Sequence, residues 1–166
     1  MNDMSAPSVS LEGKNIWIAQ SLPITSWQAI KAKRSMHLLL TGIPAFVCSA
    51  CTIIALKPTP LGALTVIAVP AVFILFFSMF GLVLNLKYPN LNWTNEITPI
   101  KQSMSVFVSM FGGWIYTIVF AVAYYPSSAR ISGELYLLGV AAFTGLLCLA
   151  LDTWLKKKGA KIFAEL

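Results

Sequence analysis

Charged residues make up 11% of this 166-residue chain, less than half the roughly 25% usual in soluble proteins. Only six are acidic, and there is a single histidine. No paired carboxylates, no Ser-His-Asp set and no His-Glu-x-x-His motif appear, so a hydrolytic enzyme has no residues to run on. A phosphate-cradling Gly-x-x-x-x-Gly-Lys-Ser/Thr loop is also missing, and the chain is read as a non-enzyme. The three cysteines, Cys48, Cys51 and Cys148, all lie in apolar runs. An odd number in such runs is no disulfide framework. Cys48 and Cys51 share a helix face, but metal binding needs further ligands and none lies nearby in sequence. They read as small packing residues, with no metal expected.

Apolar residues are what the chain has in excess: 57% hydrophobic, with a mean hydropathy of +0.75. One core of about 150 residues cannot hide that much apolar surface. Four runs, 36–56, 61–86, 104–125 and 135–155, reach the roughly 20 residues that a helix needs to cross a bilayer. They must be helical, because backbone groups in lipid are satisfied only within the segment. Pro44 and Pro70 fall inside the first two and predict kinks there. The first run begins only at Met36, after a mixed polar segment, so no cleaved secretory signal is expected.

The net charge of +6 could point to nucleic acid, but its distribution explains it otherwise. Ten of the twelve basic residues lie before span one (Lys14, Lys31, Lys33, Arg34), between spans two and three (Lys87, Lys101) or after span four (Lys156, Lys157, Lys158, Lys161). Only Lys57 and Arg130 lie on the other side. The positive-inside rule then places both termini in the cytoplasm of a multi-pass plasma-membrane protein. Tyr124, Tyr125, Tyr136 and Trp154 mark span ends, where an apolar ring with a polar tip is favoured. Three segments are therefore expected on the cytoplasmic side: 1–35, the loop 87–103 and the basic tail 156–166. Lys57-Pro58-Thr59-Pro60 is a tight outer hairpin.

Within 1–35, Thr25-Ser26-Trp27-Gln28 has the form of a capping box, and Pro23 stops any earlier helix. A helix should start near Ser26. Trp27 and Ile30 could rest on the lipid surface while Lys31, Lys33 and Arg34 meet anionic headgroups. It could equally be a plain extension of span one. The stretch 10–21 could form a short interfacial helix. The polar loop around Tyr88 and Trp93 reads either as a connector or as a contact surface.

Two of these segments resemble a bacterial ABC-type exporter permease. One is Ser10-Leu11-Glu12-Gly13-Lys14-Asn15-Ile16-Trp17, followed by Ser21-Leu22-Pro23-Ile24-Thr25 and Lys31-Ala32-Lys33. The other is Asn85-Leu86-Lys87-Tyr88-Pro89-Asn90-Leu91-Asn92-Trp93-Thr94-Asn95-Glu96, with Lys101-Gln102-Ser103 beyond it. Permeases of this kind are longer, with more spans upstream. The chain is similar to their C-terminal portion, as a fragment, an internal start or a reduced subunit; Asn92 and Pro99 depart from the usual pattern. The resemblance implies a membrane subunit that binds no cofactor of its own. A separate cytoplasmic subunit would bind and hydrolyse ATP, and its movement would pass through a cytoplasmic segment to the spans. Trp17, Trp93, Asn95 and Glu96 are the candidates for that coupling contact, since an aromatic beside a carboxylate makes a docking anchor.

Inside the spans, Gly112-Gly113 precedes Trp114 and Tyr116. Ser109/Gly113 and Ala141/Gly145 are small-x-x-x-small pairs that let helices approach closely. Gly112, Gly113, Trp114 and Tyr116 are also the candidates for a substrate-facing wall. Asp152 should pair with Lys156 one turn on. Spans one to three hold no carboxylate, which argues against a proton-coupled multidrug antiporter. The expected fold is all-α: a polytopic bundle of four transmembrane helices with an N-terminal amphipathic cytoplasmic helix. The leading function is a permease subunit, self-associating or joined by further permease spans. The alternative is a small four-span scaffold that oligomerises without transporting anything.

Overall fold

The computed structural model describes residues 5–16, 21, 23–91, 93, 103–127 and 131–165. Four long helices dominate: α1 (Ser26–Leu56), α2 (Pro60–Lys87), α3 (Met104–Ser127) and α4 (Gly133–Trp154). All four are long and apolar enough to cross a membrane, and no strand occurs among the described residues. The fold is a polytopic all-α bundle.

Local chemistry sets the ends. The Thr25 hydroxyl accepts from the Gln28 amide at 3.3 Å, and the Thr25 amide donates back to the Gln28 side chain at 2.8 Å. Both halves of the capping box are therefore made. Lys57 ends α1 in the left-handed region, φ +45°. Pro60 then opens α2 at a position where a missing N–H costs nothing, and the Thr59 hydroxyl accepts from Gly62 N at 3.0 Å. The helices continue through Pro44 and Pro70.

α2 is the hub: α1, α3 and α4 all pack on it, whereas α3 and α4 barely meet. Its lower half carries the buried residues Phe76, Met79, Leu82 and Leu86. Interhelical hydrogen bonds reinforce the packing. Ser49 on α1 donates to the Val66 carbonyl at 3.1 Å. The Tyr116 and Thr144 hydroxyls meet at 2.8 Å. Because Thr144 already donates to Val140 O, Tyr116 is the donor in that pair. Most outward side chains of α1 and α3 are apolar and exposed, among them Ile43, Ile54, Phe111 and Ile118.

The short helix expected within 10–21 lies partly outside the described residues, and one expectation for the basic end is corrected. Residues 26–35 are the first turns of α1 itself, since no Gly or Pro interrupts them. At 31 residues, α1 is roughly 46 Å long, well beyond the roughly 30 Å of a hydrocarbon core. Residues Ser10–Asn15 form a short 3-10 segment, broken at Gly13. Ile30 does not lie on a lipid surface; it is fully buried, in one cluster with Leu82, Leu86, Leu155 and Phe163. The reason is the tail. After α4, a π-helical turn (Leu155–Gly159) leads into a short helix, α5 (Ala160–Glu165), which folds back against the base of α1. The lysines of the tail point outward while Leu155 and Phe163 are covered.

Candidate functional site

The segments that carry the two sequence motifs meet in space, at the end of the bundle where the basic residues lie. Their meeting point is Asn85, on the last turn of α2 and fully buried. Its side-chain oxygen accepts from the backbone amides of Val9, at 2.7 Å, and Ser10, at 3.0 Å. Its side-chain nitrogen donates to the Ser10 hydroxyl, at 2.7 Å, and to the Ser105 hydroxyl, at 3.1 Å. That uses the full donor and acceptor capacity of a primary amide. No apolar residue could fill this position without orphaning several buried groups.

The other contacts extend from there. The Ser10 hydroxyl also accepts from the Asn90 amide, at 3.0 Å, and the Ser10 carbonyl accepts from the Trp93 indole N–H, at 2.6 Å. The Trp93 ring lies directly over Gly13. A Cβ at Gly13 would stand 2.9 Å from the indole, and the residue has φ +52°. Both the ring and the backbone therefore require glycine there. Ser105, in the first turn of α3, donates to the Ala6 carbonyl at 3.1 Å. Its proton is thus committed, and Ser103 is the donor in their 2.8 Å contact. Lys33 of α1 reaches the Ser8 carbonyl, at 2.9 Å, and the Glu12 carboxylate, at 2.6 Å. The result is a buried polar clasp that ties the segment 5–13 to α2, to the chain after it and to the start of α3.

A second polar cluster joins α1 to α4. Asp152 receives Arg34 on one oxygen and Lys156 on the other, each at 2.6 Å. The same two cations stand over the Trp27 ring, 5.8 and 5.5 Å from its centroid. The Asp152–Lys156 pair is the one expected from spacing. Arg34, 118 residues away, had no local signal.

The candidate residues fall in different places. Trp93 is half-buried and spends its N–H on the clasp. Trp17, Asn95 and Glu96 lie outside the described residues. Gly112 approaches the Phe80 ring of α2, where an added Cβ would sit at 3.3 Å, and Gly113 is buried on the same side together with Ser109. Tyr116 stacks on Phe76, 5.0 Å between centroids. Trp114 points away from the bundle and is exposed. Gly112, Gly113 and Tyr116 therefore face α2, and Trp114 does not join them. The Ala141/Gly145 pair divides likewise: Ala141 is buried, whereas a Cβ at Gly145 would meet open space. A cavity of about 490 Å³ opens between α2, α3 and α4 toward the far end, and none of the four candidates lines it. Among the described residues no three His, Cys, Asp or Glu side chains gather to hold a metal ion.

No family model matches the chain, and no curated protein or solved structure is significantly similar to it.

Proposed function

We propose that the chain is the membrane-spanning subunit, or the C-terminal part of one, of an ATP-driven exporter. It would lie in the plasma membrane with both termini cytoplasmic and couple to a separate cytoplasmic ATP-binding subunit. The supporting observation is the clasp. The two motifs that resemble a permease are 75 residues apart between Ser10 and Asn85, yet they form one buried hydrogen-bonded unit at the basic end.

The clasp also supplies a route for coupling. Trp93 is tied through Ser10 and Asn85 to α2, against which the other three spans pack. A displacement of that residue by an ATPase would be passed to α2 through the buried hydrogen bonds of Ser10 and Asn85, which hold the segments together. On this reading Trp17, Asn95 and Glu96 are the contact residues. Trp93 is a positioning residue that holds the loop against Gly13.

The test is recovery of the ATPase with tagged variants. Glu96→Ala should lower the amount of ATPase recovered while leaving the amount of folded chain in the membrane unchanged; Trp93→Ala, which removes a clasp bond, should lower the ATPase recovered per folded chain. Undiminished recovery with both variants rejects the coupling assignment.

A further inference from the structure

The segment 5–10 does not hang below the bundle; it runs up beside α2. Val9 and Ser10 are bonded to Asn85 on the last turn of α2, whereas the Ser5 hydroxyl donates to the Phe77 carbonyl at 3.2 Å. From Asn85 to Phe77 the helix rises about 12 Å. With Lys87 at the headgroup level, Ser5 stands well within the hydrocarbon depth. Residues 5–9 form turns rather than helix, and Ser5, Ala6, Pro7 and Val9 are all buried. Irregular backbone at such a depth is tolerated only where protein covers it or water reaches it. The seat is shaped for the segment. A Cβ at Gly81 would overlap the Ser5 hydroxyl and stand 3.0 Å from the Ala6 nitrogen. From the other side, Ser105 of α3 donates to the Ala6 carbonyl at 3.1 Å. Ser78, one turn above Gly81, and Ser109, one turn above Ser105, are buried as well and extend the two walls.

We infer that residues 5–10 are a removable plug in a polar groove between α2 and α3. Seated, they seal the groove at the basic end; withdrawn, they leave it open to water as far as Ser78. Two features distinguish a plug from a permanent part of the core. Pro7 and Val9 are its only bulky apolar side chains, so little hydrophobic burial holds it. The rest of its hold is hydrogen bonds, which water replaces at small net cost. The emptied groove also has no means of closing on itself, because that would bury the Asn85 amide and the Ser105 hydroxyl without partners. The plug is independent of the permease reading, since a bundle that transports nothing can carry it too.

The experiment uses the full chain without its three native cysteines and with Ser78→Cys. Ser78 spends its hydroxyl on the Leu75 carbonyl of its own helix, so a cysteine there breaks no bond between elements. The chain is placed in vesicles of phosphatidylethanolamine and phosphatidylglycerol, with a charged methanethiosulfonate on both faces; the reagent travels through water and not through hydrocarbon. The cysteine should stay unmodified while the plug is seated. Gly81→Ala favours the helical state of α2 but takes the space of the Ser5 hydroxyl, and it should raise the rate of modification several-fold. Ser5→Gly in that same chain removes the overlap, and the rate should fall back. An unmodified cysteine in the Gly81→Ala chain overturns the proposal, because the groove then stays shut without its plug. A rate that stays high after Ser5→Gly overturns it as well, since the bundle as a whole has then opened. So does fast modification with Gly81 in place, which would mean that the seated segment seals nothing.

Discussion

Asn85 is fully buried and makes four hydrogen bonds that join three parts of the fold. Replacing it with Leu keeps roughly the volume but leaves the Val9 and Ser10 amides without their acceptor, and removes the donor to the Ser10 and Ser105 hydroxyls. Each orphaned buried group costs about 1–3 kcal/mol, so Asn85→Leu should destabilise the protein by at least about 2 kcal/mol. Thermal unfolding in detergent checks this: Tm should fall clearly for Asn85→Leu and by less for Asn85→Asp, which keeps the acceptor alone. An unchanged Tm for Asn85→Leu would mean that the clasp contributes nothing. Little of this was legible in the sequence. Asn85 and Ser10 were visible as motif residues, but nothing local says that a residue at the end of one apolar run bonds a segment 75 positions earlier. The same holds for Gly13, whose need for glycine comes from the Trp93 ring as much as from its own backbone.

The long helices were the most legible elements. The runs 61–86 and 104–125 correspond to Pro60–Lys87 and Met104–Ser127, because apolar length and Thr, Pro and Lys at the ends leave little freedom. The start of α1 was readable from its capping box. The tail was not: Lys156, Lys157 and Lys158 look like a solvated basic stretch, whereas a π-helical turn rotates them outward and buries Phe163 against the base of α1. Gly159 permits that turn. A Cβ there would lie 3.2 Å from both Leu86 and Leu155 side chains, tighter than they can accept without moving. Gly159→Leu should therefore undock α5, and limited proteolysis reads the result: trypsin should cut after Lys157, Lys158 and Lys161 faster than in the unsubstituted chain. Equal cleavage rates would show that the tail packs without needing the small residue.

The whole molecule divides into a basic end, where the clasp, the Asp152 cluster and the folded tail gather, and a far end with two short connections. If the basic end is cytoplasmic, an impermeant maleimide should label Pro58→Cys in intact cells, in a background lacking the three native cysteines. It should label Lys161→Cys only after lysis; the reverse pattern would invert the orientation. The polarity of the two ends follows from the positions of twelve basic residues. How the spans pack around α2, by contrast, was only partly readable: the Ser109/Gly113 pair marked a buried face of α3, whereas Gly145 of the Ala141/Gly145 pair meets open space. The claim that joins these levels is that the clasped basic end receives a separate ATPase. The most direct test is affinity purification of the tagged chain from its native membranes, followed by mass spectrometry. The account predicts a P-loop ATPase in stoichiometric amount; recovery of self-associated chain alone, with no ATPase above background, would contradict it and favour the four-span scaffold.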